Sequence, residues 1–352
     1  MINQPSQLID EIISRNASDL HLVVGYPPAV RVNTQLIQLN LYPVLKPEDL
    51  NNFLMTFANA NQQEVYHLNK ELDFSLVYKN FRFRANAYYQ LGEMGISLRL
   101  IPEKIKTIED LHLPSIIHKV PDFKQGFVLV TGQTSQGKST TLASIINEIN
   151  LNKQMHIVTI EDPIEFTYPK AKCIVSQREV KHDTLSFNNA LRSVLREDPD
   201  IIVIGEMRDY ETISSALTLA ETGHLVFSTL HTNTASQTID RIIDVFPEEQ
   251  QPQIRVQLSN VLKSIICQKL IPDFKEESLL PAVEILFNNS AISALIREGK
   301  SYQIDNVLHT SASEEMILYE QYLKLMVERG LIKKDTALKY AFRTKLIQEL
   351  LK

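Results

Sequence analysis

Two kinds of hydrophobic pattern divide the chain. Leu8, Ile9, Ile12 and Ile13 recur on one face at helical spacing, and Asp19-Leu20-His21-Leu22-Val23-Val24 then reads as a strand running into the turn residues Gly25-Tyr26-Pro27-Pro28. Alternating or β-rich segments follow at residues 29–32, 73–77, 81–89 and 96–101, with a helical stretch after Pro47 between them. These predict an α+β domain over residues 1–105. Residues 107–114, TIEDLHLP, are polar, lack a regular period and close on a proline, which predicts a linker over 106–120.

From Gly126 onward, apolar runs are separated by helical stretches: FVLV, a helix from Lys138, HIVTI, a helix around 188–195, IIVIG, a helix from Glu211, and LVFSTL. Such alternation implies a parallel sheet covered on both faces, so the fold class is α/β with a core over 121–271. After Pro247 helical spacing dominates, through 253–270, 291–297, 316–327 and 335–342, and predicts a mostly helical region over 272–352. No repeat of fixed period is visible.

Composition narrows this picture from outside. A length of 352 residues suits two or three domains. A net charge of -6 speaks against a protein that coats nucleic acid or anionic membrane, because such binders need a cationic surface. Cys173 and Cys267 stand far apart without CxxC spacing, so neither a disulfide framework nor a zinc module is indicated, and a reducing cytoplasm fits. The N-terminal stretch shows no basic leader before an apolar core, and no window reaches the ~20 apolar residues that cross a bilayer. The expectation is a soluble protein whose membrane role, if any, goes through a partner.

The chemistry begins at Gly132-Gln133-Thr134-Ser135-Gln136-Gly137-Lys138-Ser139, which fits GxxxxGKS/T between a buried-looking strand and a helix that continues with Thr140. Backbone N–H groups curl around a phosphate at such a helix start, and Gly132 and Gly137 permit the φ values that this requires. Lys138 is placed to reach the β- and γ-phosphates of ATP, and Ser139 to ligate Mg²⁺. Two further strands run into acids: HIVTI into Glu161-Asp162-Pro163-Ile164-Glu165, and IIVI into Gly205-Glu206. In an open α/β sheet ligands bind beyond the carboxyl ends of strands, so these acids are candidates to attend Mg²⁺ or to deprotonate the attacking water. Singly, each is as readily a solvated turn residue. His224 and His231 stand one at each end of the strand LVFSTL, where a histidine is more often structural than a proton carrier.

Residues 191–209, LRSVLREDPDIIVIGEMRD, lead into TISSALTLAETGHLVFSTLHTNTASQTIDRIIDVFPEEQQPQIR. With ASDLHL and RFRAN, this run closely resembles the type IV pilus twitching-motility ATPases, the PilT family of the secretion-ATPase superfamily. The resemblance covers nearly the whole chain and is densest over 126–270. It implies a PAS-like N-terminal domain, a RecA-like P-loop domain, and a ring-shaped homohexamer that hydrolyses ATP with Mg²⁺ to retract a pilus. The implied setting is cytoplasmic, at the inner membrane through the pilus platform protein, with a second retraction ATPase as a possible companion and no nucleic acid. By motif, Glu165 takes the place of the general base, Glu206 that of the Mg²⁺-attending acid after glycine, and His224 and His231 those of the His box. Arg84 and Arg99 take the places of N-terminal arginines that close on phosphates; by themselves they read as ordinary strand arginines.

Departures from the family pattern are also legible. Its GPTGSGKS loop carries Gln133, Ser135 and Gln136 here, and its AIRNLI motif reads Ala291-Ile292-Ser293-Ala294-Leu295-Ile296. Ala291, Ile292, Leu295 and Ile296 keep an apolar stripe, with Ser293 and Ala294 off it. The rival readings are an accessory retraction ATPase, an assembly ATPase, a nucleotide-gated structural subunit without turnover, and a RecA-like nucleic-acid translocase. The acidic balance disfavours the last, and the intact Lys138, Glu165 and Glu206 disfavour the structural subunit.

Overall fold

The computed structural model describes residues 4–32, 35–101, 104–310 and 316–352. It divides into two compact units, residues 1–104 and 105–352.

The first unit holds α1 (Ser6–Ser14), β1 (Asp19–Val23), β2 (Ala29–Val32), β3 (Gln35–Gln38), α2 (Pro47–Phe57), α3 (Ala60–Asn69), β4 (Glu71–Tyr78), β5 (Phe81–Gln90) and β6 (Glu93–Ile101). Its six strands form one antiparallel sheet in the order β3-β2-β1-β6-β5-β4. Period-two alternation sets its faces: Phe83, Ala85 and Ala87 are fully buried, while Arg84 between them is exposed. Leu8, Ile9 and Ile12 of α1 and Leu50, Phe53 and Leu54 of α2 share that core. Local signals start the helices: Pro47 opens α2, and in α3 Asn59 Oδ1 accepts from Gln62 N while Gln62 Oε1 accepts from Asn59 N.

The second unit continues with β7 (Gly126–Thr131), α4 (Lys138–Asn152), β8 (His156–Glu161), β9 (Ile174–Glu179), α5 (Phe187–Val194), β10 (Ile201–Ile204), α6 (Tyr210–Glu221), β11 (Leu225–Leu230), α7 (Ala235–Asp244), α8 (Gln251–Val261), β12 (Leu262–Pro272) and β13 (Leu279–Phe287). It ends with α9 (Ser290–Arg297), α10 (Ile304–Thr310), α11 (Tyr319–Glu328), α12 (Lys334–Tyr340) and α13 (Thr344–Leu350). The sheet order is β13-β12-β7-β11-β10-β8-β9, parallel except where β13 pairs antiparallel with β12. Both faces are covered, as the unbroken apolar runs imply. Phe127 and Leu129 of β7 enter one core while Val128 and Val130 enter the other.

Three expectations need correction. The helix expected over 253–270 stops at Val261, and residues 262–272 form β12. Its Ser264, Ile265, Ile266 and Cys267 pair with β7 on one side and β13 on the other, and burial on both faces erases the alternation that marks a strand. The sheet therefore extends into the region expected to be mostly helical, through β13. The segment expected as a linker belongs to the second unit, because Ile108, Leu113, Ile117 and Val120 are buried in its core. In α9, Ile292 and Ile296 are buried, Ala291 is exposed, and Ser293 is half-buried with its hydroxyl donating to Ser259 O at 2.9 Å.

Candidate nucleotide site

β7 ends at Thr131 and α4 begins at Lys138, so the loop 132–137 lies at the carboxyl edge of the sheet. Gly132 has φ +149° and Gly137 φ +76°. A Cβ on Gly132 would stand 2.3 Å from Gln268 O, and one on Gly137 2.8 Å from Gln268 Nε2, so both positions need glycine for space as well as for backbone freedom. Ser135, where the family pattern has glycine, holds a left-handed φ of 62°. Gln133 and Thr134 are exposed, and Ser139 and Thr140 are half-buried in the first turn of α4.

Gln136 is not loose. Its Oε1 accepts from Leu270 N at 2.6 Å and its backbone carbonyl accepts from Gln268 Nε2 at 2.7 Å. Gln268 Oε1 in turn accepts from Thr141 Oγ1 at 2.6 Å. β12 thus grips the loop and the start of α4 together. Cys267 is in register with Thr131, which is why the next residue, Gln268, meets the loop.

Lys138 is 8% exposed, and its Nζ donates to Gly132 O at 2.8 Å and Gln133 O at 2.9 Å. Burial lowers its pKa, although the carboxylates of Glu206 and Glu165 favour the charged form. Glu206 follows β10 by two residues; its Oε1 lies 2.5 Å from the Arg208 guanidinium and its Oε2 3.4 Å from His231 Nε2. His231 Nδ1 lies 3.4 Å from Lys138 Nζ, so the ring stands between the lysine and the acid. Glu161 closes β8; burial pushes its carboxyl up against hydrogen bonds from Thr159 and Gln177. Glu165 is exposed on the loop that follows.

The ends of β7, β10 and β11 therefore bring Lys138, Glu206 and His231 together, with Glu165 within electrostatic reach. His224 is not brought there. It precedes β11 at the opposite end of a six-residue strand, with Nδ1 3.1 Å from both Leu219 O and Thr222 Oγ1. At ~3.3 Å per residue this is about 20 Å from His231. Arg84 and Arg99 lie in the first unit as cross-strand partners on β5 and β6, both exposed, with Arg99 Nε donating to Asp19 Oδ1 at 2.8 Å. Sequence reasoning missed Gln268, Arg208 and Asn233, whose Oδ1 accepts from Gln133 Nε2 at 3.3 Å. The available signals were the polar pair Gln268-Lys269 inside the apolar run IICQKLI and an arginine two places beyond Glu206.

Beside the loop, a cavity of about 310 Å³ is lined by Gly137 and Thr140 together with Leu111, Leu270, Leu280 and Pro281. Its size and mixed lining suit a nucleoside. Among the described residues no three His, Cys, Asp or Glu cluster as metal ligands. The residues expected to attend Mg²⁺, Ser139 and Glu206, would supply one hydroxyl and one carboxylate and leave the rest of the ion's coordination to phosphate and water.

Residues 2–345 match the family of type II/IV secretion system proteins. The chain is 45% identical over 333 residues to the type IV pilus retraction ATPase PilT of Pseudomonas aeruginosa, covering 94% of this chain and 96% of that protein. It is 37% identical over 336 residues to the type IV pilus ATPase PilU of the same organism, covering 95% and 88%. The crystal structure of the pilus retraction motor PilT with bound ADP superposes with a TM-score of 0.91 at 43% identity, over 97% of this chain and 98% of that one. The ATPase DotB of Legionella pneumophila gives a TM-score of 0.83 at 28% identity, over 99% and 95%. The chain belongs to the type II/IV secretion system protein family, among its type IV pilus retraction ATPases.

Proposed function

We propose that this chain hydrolyses ATP with Mg²⁺ and uses the energy to retract a type IV pilus, working as a homohexamer of PAS-like and RecA-like domains. The observation that carries the reading is the convergence of Lys138, Glu206 and His231 on one P-loop, with Glu165 close by. Lys138 binds the β- and γ-phosphates, exchanging its bonds to Gly132 O and Gln133 O for phosphate oxygens. Ser139 and Glu206 hold Mg²⁺, which neutralises charge on the phosphates. Glu165 accepts the proton of the attacking water, and His231 holds Glu206 and Lys138 in register. Thr140 and the adjoining cavity take the nucleoside.

Arg84 and Arg99 are cross-strand partners, and Arg99 already pairs with Asp19 at 2.8 Å, so their use as phosphate-facing arginines rests on the family motif. His224, remote from the P-loop of its own chain, would act in the His box only across a subunit boundary. Among the described residues no helix is long and apolar enough to cross a membrane. Attachment to the inner-membrane platform protein of the pilus, on the cytoplasmic side, with a second retraction ATPase as a further partner, is supported by the likeness to pilus retraction ATPases.

The test is pilus dynamics in cells that carry Glu165→Gln in place of the native chain. Pili that extend but do not retract are expected. Loss of pili altogether would refute retraction in favour of assembly.

A further inference from the structure

Of the four residues between β11 and α7, His231 and Asn233 reach into the nucleotide site. His231 stands between Lys138 and Glu206, and Asn233 accepts from Gln133 of the P-loop. Behind this turn, at the first residue of α7, Ala235 N donates to Glu284 Oε1 at 2.8 Å. Glu284 lies on β13 with a side chain that is 0% exposed, and its other oxygen is 3.4 Å from Arg343 Nη1.

Arg343 precedes α13 and is shared by three carboxylates. It also bonds Glu320 of α11 at 2.7 Å and Asp305 of α10 at 2.6 Å, and the Glu320 side chain is 0% exposed as well. Glu320 Oε1 accepts from the backbone N–H groups of Phe342 and Arg343, which fixes the guanidinium from its own main chain. α7 meets α10 again through Ser236 Oγ to Asp305 Oδ1 at 3.4 Å, and the turn before α10 through Ser301 Oγ to Asp240 Oδ1 at 2.5 Å.

A buried carboxylate needs partners for both oxygens, and breaking such a set is far more disruptive than breaking a surface pair. Through Ala235 N this set joins the C-terminal helices to the residue that follows the 231–234 turn.

We propose that Glu284, held by Arg343, is a positioning residue for the nucleotide site, setting the 231–234 turn through the Ala235 N–H and so coupling the C-terminal helices to His231 and Asn233. The effect on turnover rests on the ATPase reading above. The effect on the turn itself does not.

The experiment compares the full chain with Glu284→Gln, Glu284→Leu and Ala235→Pro. Proline is tolerated at the first helical position and the preceding Thr234 is already extended, so Ala235→Pro deletes the N–H donated to Glu284 Oε1 while changing none of the cluster's charged side chains. Hydrogen exchange over residues 231–238, measured without nucleotide, should rise about tenfold in Glu284→Leu, on the scale of one lost buried hydrogen bond, and likewise at the remaining amides of Ala235→Pro. Glu284→Gln keeps an acceptor for Ala235 N and should restore most of the protection. The kcat for ATP should fall about 10- to 100-fold in Glu284→Leu and Ala235→Pro, the cost of a misplaced site group, with KM changed far less. Exchange and kcat within twofold of wild type in Ala235→Pro would overturn the proposal. So would a rise in exchange spread evenly over the second unit, which is the mark of a merely structural residue. A wild-type chain without ATPase activity would refute the ATPase reading, and the exchange comparison would then decide this proposal alone.

Discussion

Replacing Gln268 by leucine isolates the contribution of β12 to the shape of the P-loop. The side chain is 5% exposed and makes two bonds, accepting from Thr141 Oγ1 at 2.6 Å and donating to Gln136 O at 2.7 Å. Leucine fills similar space and makes neither. Thr141 is 1% exposed, so its hydroxyl is stranded away from water, at a cost of about 1–3 kcal/mol. Gln136 is half-buried and its carbonyl recovers water, so that loss is nearer the net value of an ordinary bond, about 0.5–1.5 kcal/mol. Together these give about 1.5–4.5 kcal/mol, and at about 2–4 °C per kcal/mol for a domain of this size the Tm of the second unit should fall by about 3–18 °C. ADP affinity, by calorimetry, should fall with it, because Gln268 also abuts Gly132 and Gly137. Thr141→Val removes the stranded hydroxyl, so the double variant should recover about 1 kcal/mol or more relative to additivity. A Tm within 2 °C of wild type and an unchanged ADP affinity would refute this account of the loop.

Gly132→Ala should abolish nucleotide binding and cost at least about 2 kcal/mol, since its Cβ meets a backbone oxygen at 2.3 Å. Ser135→Gly should by contrast change Tm little, because the relief of a left-handed φ, about 1 kcal/mol, is offset by about 0.5–1 kcal/mol of chain entropy. His118 bridges Glu148 at 2.8 Å and Glu109 at 2.7 Å, and these carboxylates, Glu148 foremost, raise its pKa. A raised histidine pKa contributes stability that is full below the unfolded value of about 6.5 and is lost as pH rises through the folded one. Thermal melts of His118→Gln should therefore fall below wild type at acid pH and converge with it under alkaline conditions. An equal deficit at both would contradict the sign.

The P-loop was legible because its requirement is local: eight adjacent residues between an apolar run and a helix specify the phosphate cradle. Glu206 and His231 were legible as strand-end residues, since parallel strands deliver their carboxyl ends to one edge. His224, at the other end of that strand, is assigned to the site by motif alone. The same six-residue strand that carries His231 into the site must hold its other end about 20 Å away. β12 was misread because its pattern is set by two neighbours distant in sequence, β7 and β13, and not by alternation of its own. Gln268 was invisible for the same reason, as its function follows from the register of Cys267 with Thr131. Arg343 and Glu284 lie 59 residues apart and carry no local signature at all.

The most direct test of the account is ATP turnover by the purified full chain, with and without Mg²⁺, beside Lys138→Ala and Glu165→Gln. The account predicts Mg²⁺-dependent hydrolysis by wild type and loss of nucleotide binding in Lys138→Ala. In Glu165→Gln nucleotide binding should be retained and turnover lowered by about 10²–10⁴-fold, the range of a general base. No hydrolysis by wild type at saturating Mg²⁺ and ATP, or wild-type turnover in both variants, would contradict it.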